Sequence, residues 1–288
     1  MRIFYNNIYF ERMRLKKKML KKILKKILSN FGFKLIKTNV PEVRFENFIN
    51  LAQAYEKKLN EISGTELIKY DEIRPKLLCR LLGTSPSEAY FIIEALEKSK
   101  TINGDICEFG VAQGSTSALI ANEIKKQDKK LHLFDSFEGL PRPSSKDQLK
   151  DDIFSLGNIK AYTGTMSCSE TMVMSKLKEL SFPENRYIIH KGFIEELIQK
   201  DKKMPQKVSF AYVDFDFYEP IMIALNFLDK VTASGAIIIV DDYDYFSTGS
   251  KIAVDEFVKR KNMNRKIYEI EIPDFTTYGH FAILTKKV

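Results

Sequence analysis

From Gly104 onward the chain alternates short apolar runs with amphipathic segments. The apolar runs are DICEFGV, LHLFDSF, RYIIHKG, VSFAYVDF, AIIIVDDY, RKIYEIEI and HFAILTKK. They are rich in Ile, Val, Phe and Tyr, and most end on Asp or Gly, as strands buried on both faces do. Between them, helical periodicity appears near 115–127, 168–180, 193–200, 218–230 and 249–261. Strands that alternate with helices predict an α/β domain with a mostly parallel sheet covered on both sides. The last two runs are joined only by EIPDFTTYG, which suits an antiparallel hairpin at the sheet edge.

Upstream, residues 41–103 read as helical. RPKLLCRLLG and SEAYFIIEALEKSK carry periodic apolar faces, and Ser85 or Ser87 beside Pro86 supplies a helix cap. Residues 1–40 form a basic arm, RMRLKKKMLKKILKKILSNFGFKLIK at its centre. In it Met19, Leu20, Ile23, Leu24, Ile27, Leu28 and Phe31 recur at helical spacing, with lysines on the other face. No apolar run reaches the roughly 20 residues of a spanning helix, and no apolar core of a signal peptide follows the charges. The arm is expected to pack on the body or a second copy of the chain, or to touch an anionic membrane surface through residues 12–37. The expected organisation is thus an arm (1–40), a helical cap (41–103) and a catalytic α/β domain (104–288), in a homo-oligomer.

Charge narrows the functions. The formal net charge is +8, but twelve Lys or Arg stand against Glu11 alone in the first forty residues, so the body is weakly acidic. Overall basicity therefore gives no ground for nucleic-acid binding. Cys79, Cys107 and Cys168 have neither metal-ligand spacing nor the even count of a disulfide framework, which points to a reducing cytoplasm.

Chemistry concentrates where open α/β sheets bind ligands, at the carboxyl ends of the strands. EFGVAQGST places Glu108, Gly110, Gly114 and Ser115 between the first strand and a helix N-terminus, where free amides and absent side chains admit a ligand. The dinucleotide spacing G-x-G-x-x-G fails here, because Ala112 and Ser115 occupy its second and third glycine places. Asp135 ends the second strand, where it can accept ribose hydroxyls or cap the following turn. Asp214 ends the fourth strand and Asp241 and Asp242 end the fifth. Adjacent strands lie about 4.8 Å apart, so these carboxylates either converge on a hard cation such as Mg²⁺ or cap separate helices. Asp216 reads as a turn or supporting residue and Glu219 as a first-turn helix acid. His132 and His190 lie inside strand runs and read as core; His280, at the start of the last strand, could approach an acceptor. The long polar segment 141–165 suits a lid or a surface insertion.

The spacing E-x-G-x-x-x-G resembles motif I of class I S-adenosylmethionine-dependent methyltransferases. Together with LFDSFEGLP, GTMSCSETMV, KGFIEELI, AYVDFDFYEP and IIIVDDY, it resembles the macrocin O-methyltransferase family over about residues 100–260. The resemblance implies a Rossmann-like fold and Mg²⁺-dependent methyl transfer from S-adenosylmethionine to a sugar hydroxyl, on a surface polysaccharide or a glycosylated natural product. It places the metal on Asp214, Asp241 and Asp242, with Asp214 also the base. The cofactor falls to Glu108, Gly110, Gly114 and Asp135, with Ser136 and Phe137 alongside and Gly192 and Phe193 bordering adenine. The rivals are a methyltransferase for a catechol-like phenol and a non-catalytic S-adenosylmethionine-binding protein of the same fold. A nicotinamide oxidoreductase is disfavoured by the glycine spacing. Two departures stand out: Phe215 occupies a position that is usually glycine, and the last strand lacks the family's aromatic ending.

Overall fold

The computed structural model describes residues 71–287, within one compact unit, Leu51–Val288. The basic arm and the segment 41–70 lie outside the described residues. Helix α1 (Arg74–Leu78) is short, and α2 (Pro86–Lys98) starts at Ser85, whose Oγ accepts the Glu88 amide at 3.1 Å. Then follow β1 (Asp105–Phe109), α3 (Ser115–Glu123), β2 (Leu131–Asp135), α4 (Glu170–Glu179), β3 (Tyr187–Lys191) and α5 (Ile194–Lys200). The chain continues through β4 (Val208–Val213), α6 (Tyr218–Val231), β5 (Thr232–Val240), α7 (Thr248–Lys261), β6 (Tyr268–Glu271), the one-turn α8 (Phe275–Tyr278) and β7 (Ala282–Lys286).

The seven strands form one sheet in the order β3-β2-β1-β4-β5-β7-β6. Strands β1 to β5 pair in parallel, and β7 runs antiparallel to both β5 and β6. The predicted hairpin therefore exists, but its later strand lies inside and β6 forms the edge. β4 is buried along its whole length, as its unbroken run VSFAYV requires. One face of the sheet packs Ile92, Leu119, Val173 and Leu177 of α2, α3 and α4; the other packs Ile221, Leu225, Val254 and Phe257 of α6 and α7. Each such fully buried side chain contributes about 1.5–3 kcal/mol.

Register sets the site. Phe109 of β1 pairs with Phe134 of β2 and with Val213 of β4, and Val213 pairs with Val240 of β5. The ladder runs one residue past each end: the Gly110 amide donates to Phe134 O (2.9 Å), Asp214 to Phe109 O (2.7 Å) and Asp241 to Val213 O (2.9 Å). Gly110, Asp135, Asp214 and Asp241 thus leave the sheet at one level. Among the described residues no helix is long and apolar enough to cross a membrane.

Candidate active site

A cleft of about 540 Å³ opens over those strand ends. Its walls include Gly110, Ser115, Asp135, Ser136, Gly192, Phe193, Asp214, Asp241 and Asp242, all expected at the site from sequence. Glu108, Gly114 and Phe137 do not line it. Glu108 is fully buried beneath the glycine loop, and burial pushes its pKa up to about 8 against the opposing pull of the Ser117 hydroxyl. Gly114 is the N-cap of α3, and Phe137 packs against the core. These three shape the loop from behind.

The loop is held by Asp135. Its Oδ2 accepts the amides of Val111 and Ala112 at 2.7 and 2.8 Å, and its Oδ1 accepts the Phe137 amide at 2.6 Å. The turn-capping role that the sequence left open is therefore present, and it joins β2 to the β1–α3 turn. Gly110 has φ +86°, and a Cβ there would lie 1.7 Å from the Asp214 carbonyl oxygen. Only glycine lets the two strand ends pass so closely.

The acids converge, though not in the expected set. Ligand oxygens of Asp214, Asp216 and Asp242 all lie within 4.8 Å of one another. Asp241 stands outside this group: its Oδ2 accepts the Tyr212 hydroxyl at 2.8 Å and its Oδ1 the Asp242 amide at 2.7 Å. Asp216, which reads from sequence as a turn or supporting residue, has a left-handed φ of +61°, and Asp242 is also left-handed at +55°. Such backbone is strained for non-glycine residues and persists where surroundings enforce it. Here it swings both carboxylates back towards Asp214. Burial, reinforced by the neighbouring carboxylates, pushes Asp214, Asp216 and Asp242 well above the usual carboxylate range. No Lys, Arg or His lines the cleft among the described residues. Half-buried acids that crowd together with no Lys or Arg on the cleft wall, and that offer hard oxygen donors, fit a divalent cation.

Sequence reading missed Glu88. It occupies the third helical position after its cap, so S-P-S-E reads as a capping box. Its side chain instead turns inward, 3% exposed, towards Asp241, Asp214 and Asp242. No one-dimensional signal distinguishes the two outcomes.

Segment 141–165 is anchored by a few side chains, while most of 151–161 is exposed. Leu140, Tyr162, Phe217 and Phe246 form a small separate core with Leu149 and Ile159. Asp147, buried, accepts the Tyr218 amide at 2.7 Å and so caps α6 from a distant part of the chain. Ile153 and Phe154 of this segment reach the cleft wall. His132 and His190 are core residues that bond each other at 2.9 Å. His280 stacks between Phe275 and Tyr245 with Nδ1 buried and unbonded.

A family model described as macrocin-O-methyltransferase (TylF) matches residues 74–278. The chain belongs to the macrocin-O-methyltransferase family. Membership makes it an S-adenosylmethionine-dependent O-methyltransferase, with helices α1 and α2 inside the family region. Among solved structures, the O-methyltransferase NovP is similar at 18% identity and a TM-score of 0.59, covering 85% of this chain and all of that one. CalS11, a calicheamicin methyltransferase, is similar at 17% identity and a TM-score of 0.54, covering 81% of this chain and 91% of that one. At these identities the likeness is one of fold. No curated protein matches the chain by sequence.

Proposed function

We propose that this macrocin-O-methyltransferase family member methylates a hydroxyl of a sugar carried on an apolar aglycone, using a divalent cation, Mg²⁺, at the ends of β4 and β5. The observation that supports this most is the convergence of Asp214, Asp216 and Asp242 in the same cleft as Gly110, Ser115 and Asp135. Asp214 and Asp242 belong both to the expected ligand set and to the observed group. Asp216 is the third carboxylate of that group, and Asp241 stands close behind. The cofactor's nucleoside would lie against the loop from Gly110 to Ser115 and Asp135–Ser136, with Gly192 and Phe193 towards the adenine. A contact between Asp135 and a ribose would share a carboxylate that already holds three backbone amides.

S-adenosylmethionine supplies an electrophilic methyl group, and Mg²⁺ lowers the pKa of an acceptor hydroxyl. The chain's own part is to orient, exclude water and move a proton. With the donor bound, transfer of its methyl group to the hydroxyl oxygen would leave the C–S electron pair on sulfur, and Asp214 would take the hydroxyl proton. Holding the reactants at contact distance supplies up to about 7–11 kcal/mol. Segment 141–165 is placed to shut water out.

The rim of the cleft supports the acceptor class. Leu82, Ile153, Phe154 and Tyr245 line it yet are 65, 40, 51 and 38% exposed. Large apolar side chains gathered at a cleft mouth suit a partner that covers them, which favours a glycosylated natural product over a polysaccharide. Cys107 and Cys168, neither of them in a disulfide, support a cytoplasmic setting.

The test is labelled donor incubated with a panel of alkyl and aryl glycosides, read by mass spectrometry. A methylated product is expected with Mg²⁺. Excess chelator, or Asp214→Asn, should lower turnover at least about 100-fold while donor binding stays within a few-fold. Full turnover in chelator would contradict the proposal.

A further inference from the structure

Two aromatic rings stand at the mouth of the cleft, and neither belongs to a hydrophobic core. Phe154 is 51% exposed and Tyr245 38%, yet both form part of the cleft wall. Each is backed by a second ring. Phe154 stacks on Tyr162, with 5.7 Å between centroids and 18° between planes, and Tyr245 on His280, with 5.0 Å and 28°. Tyr162 is fully buried, so it covers one face of Phe154 and leaves the other face and the edge open.

The loop that carries Phe154 is held by hydrogen bonds rather than by burial. Asp152 Oδ1 accepts the Leu156 amide at 2.8 Å and the Tyr162 hydroxyl at 2.7 Å, and its Oδ2 accepts the Gly157 amide at 2.8 Å. The Tyr162 hydroxyl oxygen in turn accepts the Phe154 amide at 2.9 Å. Tyr162 meets Phe246 edge-on at 4.9 Å, and Phe246 stacks on Phe217, the residue after Asp216. Leu149 bridges to Ser247, and the Lys150 amide donates to Phe246 O at 3.0 Å, which fastens the loop to the segment bearing Tyr245. An exposed ring fixed in this way gains the fold little apolar burial, but it loses little freedom when a ligand covers it.

We propose that Phe154 determines acceptor specificity: it stacks a flat, uncharged aromatic aglycone at the cleft mouth while the attached sugar reaches the carboxylates below. Tyr245 extends the same rim. This rests on the acceptor reading of the previous subsection and narrows it. Offset stacking favours an aryl ring over an alkyl chain of similar size. The base of a nucleoside diphosphate sugar would stack as well, but its phosphates call for Arg or Lys, and neither lines the cleft among the described residues.

The experiment uses calorimetry on the full chain saturated with S-adenosylhomocysteine and Mg²⁺. The probes are naphthyl and octyl glycosides of the same sugars, together with nucleoside diphosphate sugars. Wild type should bind a naphthyl glycoside about 3–10-fold more tightly than its octyl counterpart. Phe154→Leu should erase that difference and Phe154→Tyr should keep it, with S-adenosylhomocysteine binding unchanged in both, which also reports folding. Tyr162→Phe removes the hydroxyl that holds the Phe154 amide, and should weaken the naphthyl glycoside while the octyl one stays within about twofold. In turnover, Phe154→Leu should raise KM for the naphthyl glycoside and leave kcat unchanged, as loss of uniform binding does. Equal affinity of wild type and Phe154→Leu for the naphthyl glycosides would overturn the proposal. So would a wild type that binds none of them, or that prefers the octyl glycosides or the nucleoside diphosphate sugars. A naphthyl glycoside that binds through Phe154 yet receives no methyl group from the donor would instead count against the methylation reading alone.

Discussion

Gly110 shows how one residue carries both halves of the site. Its left-handed backbone and its lack of a Cβ let β1 pass the Asp214 carbonyl, while its neighbours Val111 and Ala112 give their amides to Asp135. Gly110→Ala must move either the loop or the strand end that bears Asp214. The expected loss is more than about 2 kcal/mol in unfolding free energy, together with loss of S-adenosylhomocysteine binding in calorimetry; a variant that binds normally would show that the close approach is not needed. At this scale, the residues legible in sequence were those whose type alone is unusual at a strand end: Gly110, Asp135, Asp214 and Asp242. Asp216 and Glu88 were not. An extended chain would carry Asp216 roughly 6.6 Å beyond Asp214 on the same face, whereas the left-handed backbone at Asp216 folds the two carboxylates together. Glu88 is disguised by a capping-box pattern its side chain does not follow.

At the level of elements, the parallel strands were legible because each is a continuous apolar run closed by Gly or Asp. What pairing adds is common register, which turns separate motifs into one row of ends. It also builds a polar row across β1, β2 and β3, from Asp105 at the start of β1 through His132 to His190 near the end of β3. His132 Nδ1 meets His190 Nε2 at 2.9 Å, and His190 Nδ1 meets Asp201 Oδ2 at 2.5 Å; His132 Nε2 faces Asp105 Oδ2 at a longer 3.3 Å. Two imidazoles with protons on Nδ1 satisfy both short contacts across β2, β3 and the end of α5. Burial pushes the His190 imidazole below its usual range, against the opposing pull of Asp201. Burial alone would raise Asp201, but the hydrogen bonds from His190 and the Lys203 amide outweigh it and hold its carboxyl low.

The signs follow from these directions. A lowered His190 costs stability as pH falls below the unfolded histidine value of about 6.5. A lowered Asp201 contributes stability above the unfolded aspartate value of about 3.9, which is lost as pH falls through its folded value. The strand-end acids are raised and act in the opposite sense, so the readout is the difference between wild type and Asp201→Asn in urea unfolding. Without the carboxylate, His190 loses its support for the charged form. The variant should then lose more stability than wild type between about pH 7.5 and 5.5, and less below about pH 4.5. Parallel curves would mean that Asp201 and His190 are not coupled.

For the whole molecule, the sheet with a core on each face is what its composition and alternation require, and family membership agrees with it. The edge was less legible: EIPDFTTYG signals a hairpin, but nothing local says that β7 enters beside β5 and leaves β6 outside. Segment 141–165 is readable from sequence as a lid or an insertion; its small core and the Asp147 cap on α6, which anchor it, are not legible there. These parts meet at one place, where a cleft holds the glycine loop on one side and the carboxylates on the other. The most direct measurement is an anomalous difference map from crystals grown with Mn²⁺ and S-adenosylhomocysteine. The account predicts one strong peak bound by Asp214 and Asp242, beside the sulfur of a nucleoside lying along Gly110 and Asp135. A peak elsewhere, or a nucleoside in this cleft with no ion beside those two carboxylates, would contradict it.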